Sequence, residues 1–117
     1  MSITLEKFAA ESILFDLDCT DNLAADETIV GSPVMSYFPV MTGADALTFG
    51  APVVNTTQIR YADGKLGKVG GVVQVRISGG TSSNATTPRL YSVLATFTTS
   101  TGNTLVARMK LSILSNQ

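Results

Sequence analysis

The segment from Leu90 to Leu114 restricts the fold more than any other part of the chain. Two apolar runs flank the polar tetrapeptide Ser100-Thr101-Gly102-Asn103, which is the signature of two strands joined by a tight turn. On the first run Tyr91, Val93, Ala95 and Phe97 share one face, and on the second Leu105, Ala107, Met109, Leu111 and Ile113 do. A period of two with one apolar face belongs to an antiparallel sheet that is covered on one side only.

At 117 residues the chain has the size of one domain and can bury a core without covalent staples. Charged residues make up only 15%, eight Lys and Arg against nine Asp and Glu, so there is neither a disordered charged tail nor a basic footprint. Nucleic acid is therefore not an expected partner. The surface of so weakly charged a chain must be largely Ser, Thr, Asn and Gly, which suits a protein packed against neighbours. Cys19 is the sole cysteine and histidine is absent, which removes internal disulfides and most transition-metal sites. The amino terminus lacks the features of a signal peptide and no run approaches the length of a membrane helix, so the expectation is synthesis in a cytoplasm and no membrane partner.

Residues 1–11 read either as one amphipathic turn, with Leu5, Phe8 and Ala9 on a face, or as an extended arm. From Ser12 onwards Ile13, Phe15, Leu17 and Cys19 alternate with Ser12, Asp16 and Asp18, Leu14 being the exception. Residues 28–39 resume extended structure, and Pro33 makes that strand an edge, bulged or broken. Residues 40–71 are glycine-punctuated, with short strands at Leu47-Thr48-Phe49 and Gln58-Ile59-Arg60-Tyr61 and a turn at Asp63-Gly64. Val73, Val75 and Ile77 mark a further inward face. About seven strands with turn signals roughly every ten residues is the pattern of a sandwich. The expected class is all-β, a single antiparallel immunoglobulin-like β-sandwich of residues 12–117 behind an amino-terminal arm of residues 1–11. Tyr91, two residues before the inward Val93, stands where that architecture places its corner tyrosine.

Chemistry has few places to reside. Asp16, Asp18, Asp21, Asp26 and Glu27 are the sole concentration of carboxylates, but they lack the alternating ligands, glycine and closing glutamate of a calcium loop. Asp16 and Asp18, about 7 Å apart on one strand face, have the spacing of a glycosidase pair, yet the chain has no tryptophan for a sugar platform. No histidine stands by to activate a serine or threonine. Gly64-Lys65-Leu66-Gly67-Lys68 has the wrong order for a phosphate loop and reads as surface loop. Asn55-Thr56-Thr57 and Asn84-Ala85-Thr86 match the glycosylation sequon but read as turn and strand chemistry. No catalytic, metal or cofactor site is expected.

Four stretches carry a resemblance: Ser12-Ile13-Leu14-Phe15-Asp16-Leu17-Asp18, Leu23-Ala24-Ala25-Asp26-Glu27-Thr28-Ile29, Val73-Gln74-Val75-Arg76-Ile77-Ser78-Gly79-Gly80-Thr81, and Tyr91-Ser92-Val93 through Thr98-Thr99-Ser100-Thr101-Gly102-Asn103-Thr104. With them the chain resembles the small tailed-bacteriophage virion proteins described as fibre-like or immunoglobulin-like. The family's usual tryptophans are missing, with Leu17 or Cys19 and Tyr37 or Phe38 in their places. The resemblance implies a non-enzymatic virion component, first a capsid decoration or cement protein on the capsid surface, with the major capsid protein and further copies of itself, in a trimer, as partners. Expected contact residues are Ile3, Leu5 and Phe8 on the arm, Met35, Tyr37, Phe38 and Met41, and Lys65 and Lys68. The alternative is a neck, tail or fibre component that binds a receptor or glycan through exposed Tyr37, Phe38, Phe49 and Tyr61.

Overall fold

The computed structural model describes residues 4–8, 11–38, 46–80 and 89–114. Its described residues form ten strands and one short 3-10 turn, in the order β1 (Thr4–Phe8), β2 (Ile13–Asp18), η1 (Thr20–Asn22), β3 (Ile29–Phe38), β4 (Leu47–Phe49), β5 (Val53–Val54), β6 (Ile59–Arg60), β7 (Leu66–Gly67), β8 (Val72–Gly79), β9 (Arg89–Thr99) and β10 (Thr104–Leu114). Sheet A runs β1-β10-β9-β3, and sheet B runs β2-β8-β4 with β5 also paired to β8. The β6-β7 hairpin is a separate two-stranded sheet. Among the described residues no helix is long and apolar enough to cross a membrane.

The class is all-β, with the inner faces of sheets A and B sharing one core. The strand count exceeds the expected seven by three: β5 and β7 are two-residue strands, too short for any alternation to reveal, and β1 lies in the segment read as a turn or arm. The last hairpin forms as its pattern requires. Phe97 pairs with Leu105, Val93 with Met109 and Tyr91 with Leu111, and all but the half-buried Leu105 are fully inside. The Thr99 N–H donates to the Asn103 carbonyl at 2.8 Å across the turn. On the facing sheet Leu17 pairs with Val73, Phe15 with Val75 and Ile13 with Ile77, so the inward rows of β2 and β8 complete the core, while Leu14 is exposed.

Pro33 sits where a missing donor does no harm. β3 is the edge of sheet A, and its register against β9 shifts between Val30 and Val34, so Gly31, Ser32 and Pro33 bulge out of the ladder. Gly31 supplies the positive φ of +74° that the bulge needs. The amino-terminal segment is extended rather than helical, and residues 4–8 are no loose arm: they pair in parallel with β10, Leu5 opposite Leu111 and Lys7 opposite Ile113. That register explains the change. Leu5 and Lys7 point to the inner side of sheet A, so the period that matters is two, and the helical spacing of Leu5, Phe8 and Ala9 is incidental.

A third layer covers part of sheet B. Val72 pairs with Asp18 on the outward row of β8 yet is fully buried, because a Cβ on Gly67 of β7 would lie 2.6 Å from its Cγ2 and 3.1 Å from the Tyr61 hydroxyl. The hairpin therefore lies over this end of β8. Asn55 fixes it there: its Nδ2 donates to the Thr57 and Lys68 carbonyls, each at 2.9 Å, and its Oδ1 accepts from the Val72 N–H at 2.9 Å. This sequon asparagine is thus buried with its side-chain amide committed inside the protein, which is turn chemistry, as its setting implied; Asn84, in the second sequon, lies outside the described residues.

Candidate functional site

A groove of about 580 Å³ lies between the outer face of β2 and the β6-β7 hairpin. Asp16 and Asp18 enter it from β2, Asp21 from η1, and Tyr61, Asp63 and Leu66 from the hairpin. The strand pleat places Asp16 and Asp18 on one face, and the hairpin turn brings Asp63 across from them. The carboxylates are partly engaged: Asp16 accepts from Gln74 Nε2 at 3.0 Å, Asp18 from the Thr20 N–H at 3.0 Å, and Asp63 from the Lys65 N–H at 3.0 Å. Among the described residues no group of three or more His, Cys, Asp or Glu side chains is placed to hold a metal ion.

The Tyr61 hydroxyl is buried without a hydrogen-bond partner. Burial first, and then the nearby Asp18 and Asp16 charges, push its pKa up to about 12, so it stays protonated at neutral pH and cannot serve as a base. Cys19 is fully buried, its thiol pushed up to about 12 by burial and then by Asp18, which makes it a small hydrophobe rather than a nucleophile. The groove is an acidic, half-open surface suited to a cationic group.

Sheet A presents a different surface. On its outer side Val34 stands beside Thr96 and Val106, Ser36 beside Leu94 and Arg108, and Phe38 beside Ser92 and Lys110. Four large apolar side chains there are more than half exposed: Phe38 at 67%, Val34 at 65%, Leu90 at 59% and Val106 at 54%. Scattered exposed residues are ordinary; these four share one sheet face, with Ser36, Ser92, Thr96, Arg108 and Lys110 interspersed among them.

The residues expected at contacts divide between these surfaces and the interior. Phe8 and Phe38 are exposed on sheet A, and Lys65 is exposed on the rim of the groove. Leu5, Met35 and Tyr37 instead turn inward and pack on the core, Tyr37 with its ring 6.0 Å from Phe49 and 5.9 Å from Tyr91. Alternation on β1 and β3 forces this: Leu5 faces Leu111, and Met35 and Tyr37 face Ala95 and Val93. Lys68 spends its ammonium on the Ala24 carbonyl at 2.7 Å and the Ala25 carbonyl at 3.4 Å. Ile3 and Met41 lie outside the described residues. Of the four aromatics that a glycan platform would need, Phe38 alone is exposed by more than half, with Tyr37, Phe49 and Tyr61 half-buried.

Two buried charges escaped the sequence reading. Lys7 is only 2% exposed, and its ammonium donates to the Phe8 carbonyl at 2.9 Å and the Glu11 carbonyl at 3.0 Å. Burial lowers its pKa, with the Glu11 charge acting in the opposite sense. Glu27 accepts from the Thr101 hydroxyl, from the Ala24 N–H at 3.0 Å and from Asn103 Nδ2 at 3.2 Å, tying the 24–28 turn to the tip of the last hairpin. Those hydrogen bonds, the Thr101 and Thr99 hydroxyls first, hold its pKa down at about 2. The signal for Lys7 was its place in the alternation, inward after Leu5; for Glu27 the Ala24 N–H is a local partner, but Thr101 and Asn103, which enclose it, lie more than seventy residues away. No protein-family model and no curated protein matches the chain.

Proposed function

We propose that the protein is a non-enzymatic structural subunit of a bacteriophage particle, a decoration or cement protein that seats on the capsid surface and strengthens contacts between capsomers. The observation that carries this reading is the outer face of sheet A, where Phe38, Val34, Leu90 and Val106 are exposed on one side of the sheet, apolar area that another protein could cover. The resemblance of residues 12–114 to small virion proteins supplies the setting, and the major capsid protein is the partner it implies. On this reading the sandwich is an immunoglobulin-like one, with Tyr91 in the corner position and the short strands β5, β6 and β7 as additions.

The test is to mix the purified protein with empty capsid shells that lack it, and to measure co-sedimentation and the temperature at which the shells rupture. Binding at a copy number that scales with the shell surface, with a raised rupture temperature, is the expected result. Shells that neither bind the protein nor rupture later would end the cement reading. Binding to isolated tails or to host-surface glycans would then favour the tail-component alternative.

A further inference from the structure

We infer that the outer face of sheet A is covered by a second copy of this chain, docked head to tail against the outer side of β2 and the β6-β7 hairpin. This rests on the reading of the protein as an assembly subunit and names the partner of its uncovered face.

Charge decides which surface can fill that role. The strands β3, β9 and β10 contain no carboxylate, and Arg108 and Lys110 stand exposed among the apolar residues of the outer face; Glu6 on β1 is the one acidic residue in the strands of sheet A. Two such faces packed together across a two-fold axis would bring the cations of both copies into one shared area. Like charges juxtaposed in an interface cost several kcal/mol, so the face does not suit itself.

The opposite side of the molecule has the matching character. Asp16, Asp18, Asp21 and Asp63 converge on the groove against the single cation Lys65 in its lining, and Val53, Leu66 and, beside the exposed Arg76, Leu14 are exposed on the same side. An apolar surface carrying cations on one side and an apolar surface carrying carboxylates on the other are complementary between successive copies. The groove has room for the side-chain ends of Arg108 and Lys110.

The size is also sufficient. Strands of five, ten, eleven and eleven residues, spaced by about 4.8 Å and rising about 3.3 Å per residue, give a footprint of roughly 590 Å² on each copy. Two such surfaces bury about 1,200 Å², the lower end of a standard stable interface. A contact between unlike faces leaves the pair with one free face of each kind, so it closes a ring or extends a stack.

The experiment is sedimentation velocity on the full chain without shells, from about 10 to 200 µM, at low and high salt. The wild type should associate, and should do so at least about tenfold more weakly in high salt, because steering and pairing charges are screened. Arg108→Glu with Lys110→Glu makes the cationic face acidic, and Asp16→Lys with Asp18→Lys makes the acidic face basic. Each double variant alone should remain monomeric, and an equimolar mixture should associate again, since every contact between the two then joins opposite charges. Circular dichroism melts verify folding, and the neutral pairs Arg108→Gln with Lys110→Gln and Asp16→Asn with Asp18→Asn replace any reversal that does not fold; each neutral pair should weaken association alone. A wild type that is monomeric throughout, association insensitive to salt, or folded reversal variants whose mixture stays monomeric would overturn the inference. A monomer that still binds shells removes only this inference, whereas a head-to-tail oligomer that ignores shells removes only the capsid reading.

Discussion

Asn55→Ala should be among the most damaging substitutions of a polar residue in this chain. The asparagine is buried and its side chain makes three hydrogen bonds, to the Thr57 carbonyl, the Lys68 carbonyl and the Val72 N–H. Alanine leaves the Val72 N–H without an acceptor at a residue with no exposure, and an orphaned buried donor costs about 1–3 kcal/mol. The two carbonyls lie in more open segments, where water takes over part of the lost bonding, at about 0.5 kcal/mol each. The total is about 3 kcal/mol, a large part of the roughly 5–15 kcal/mol that holds a domain folded. Urea unfolding followed by far-UV circular dichroism should show a midpoint lower by about 2 M at a slope of about 1.5 kcal/mol/M, and thermal melts a drop of about 10 °C. Thr56→Ala, at the exposed neighbour, is the control and should stay within about 0.5 kcal/mol. A loss at position 55 no larger than the control's would refute the assignment of Asn55 as the anchor of the third layer.

Three further outcomes follow from single observations. Glu27 has a folded pKa of about 2 against an ordinary value of 4.5, so its contribution is present above pH 4.5 and is lost as pH falls toward 2; urea midpoints should decline over that window, and Glu27→Gln should flatten the decline. Gly70→Ala should destabilise more than Gly64→Ala in the same melts: both glycines hold a positive φ, but a Cβ at 70 would lie 2.8 Å from the Thr28 Cβ, whereas at 64 it meets nothing within 4 Å. Tyr61→Phe removes a buried hydroxyl that has no partner, so stability should be unchanged or raised by up to about 1 kcal/mol, and a clear loss would mean that the hydroxyl is bonded in solution.

The long strands were legible because each has one covered face. In β2, β8, β9 and β10 the alternation of apolar and polar residues named the inward rows correctly, and Pro33 marked its strand as an edge, bulged or broken, which the structure resolves as a bulged edge. Of the short strands, β4 and β6 fall where they were expected, but β5 and β7 were not legible, since two residues carry no period, and β1 was obscured because its inward pair is Leu5 and Lys7, an apolar residue followed by a charged one. Lys7 can lie inward because its ammonium reaches backbone carbonyls at the end of the strand, a compensation that appears only after folding. Val72 shows the opposite case: it occupies an outward position in the sequence pattern, and the hairpin that buries it is anchored through Asn55, seventeen residues away along the chain. The groove follows the same logic, because Asp16 and Asp18 were visible as a pair on one strand face, but Tyr61 and Asp63 reach them through a tertiary contact.

The two outer faces of the sandwich therefore differ in how their apolar residues are covered. On sheet B the chain provides part of the cover itself: the β6-β7 hairpin, held by Asn55, removes Val72 from water and leaves an acidic groove at its margin. On sheet A no strand of the described residues plays that part, and Phe38, Val34, Leu90 and Val106 remain in water. Each costs on the order of 1 kcal/mol relative to a buried position, at about 25 cal/mol for each Å² of apolar surface. The folded domain does not need these four side chains, since Thr or Ser at the same outward positions would preserve the β pattern. Their presence on one face, with cations and almost no carboxylate beside them, is accounted for by a partner that supplies both apolar surface and negative charge, which the opposite side of the same molecule offers.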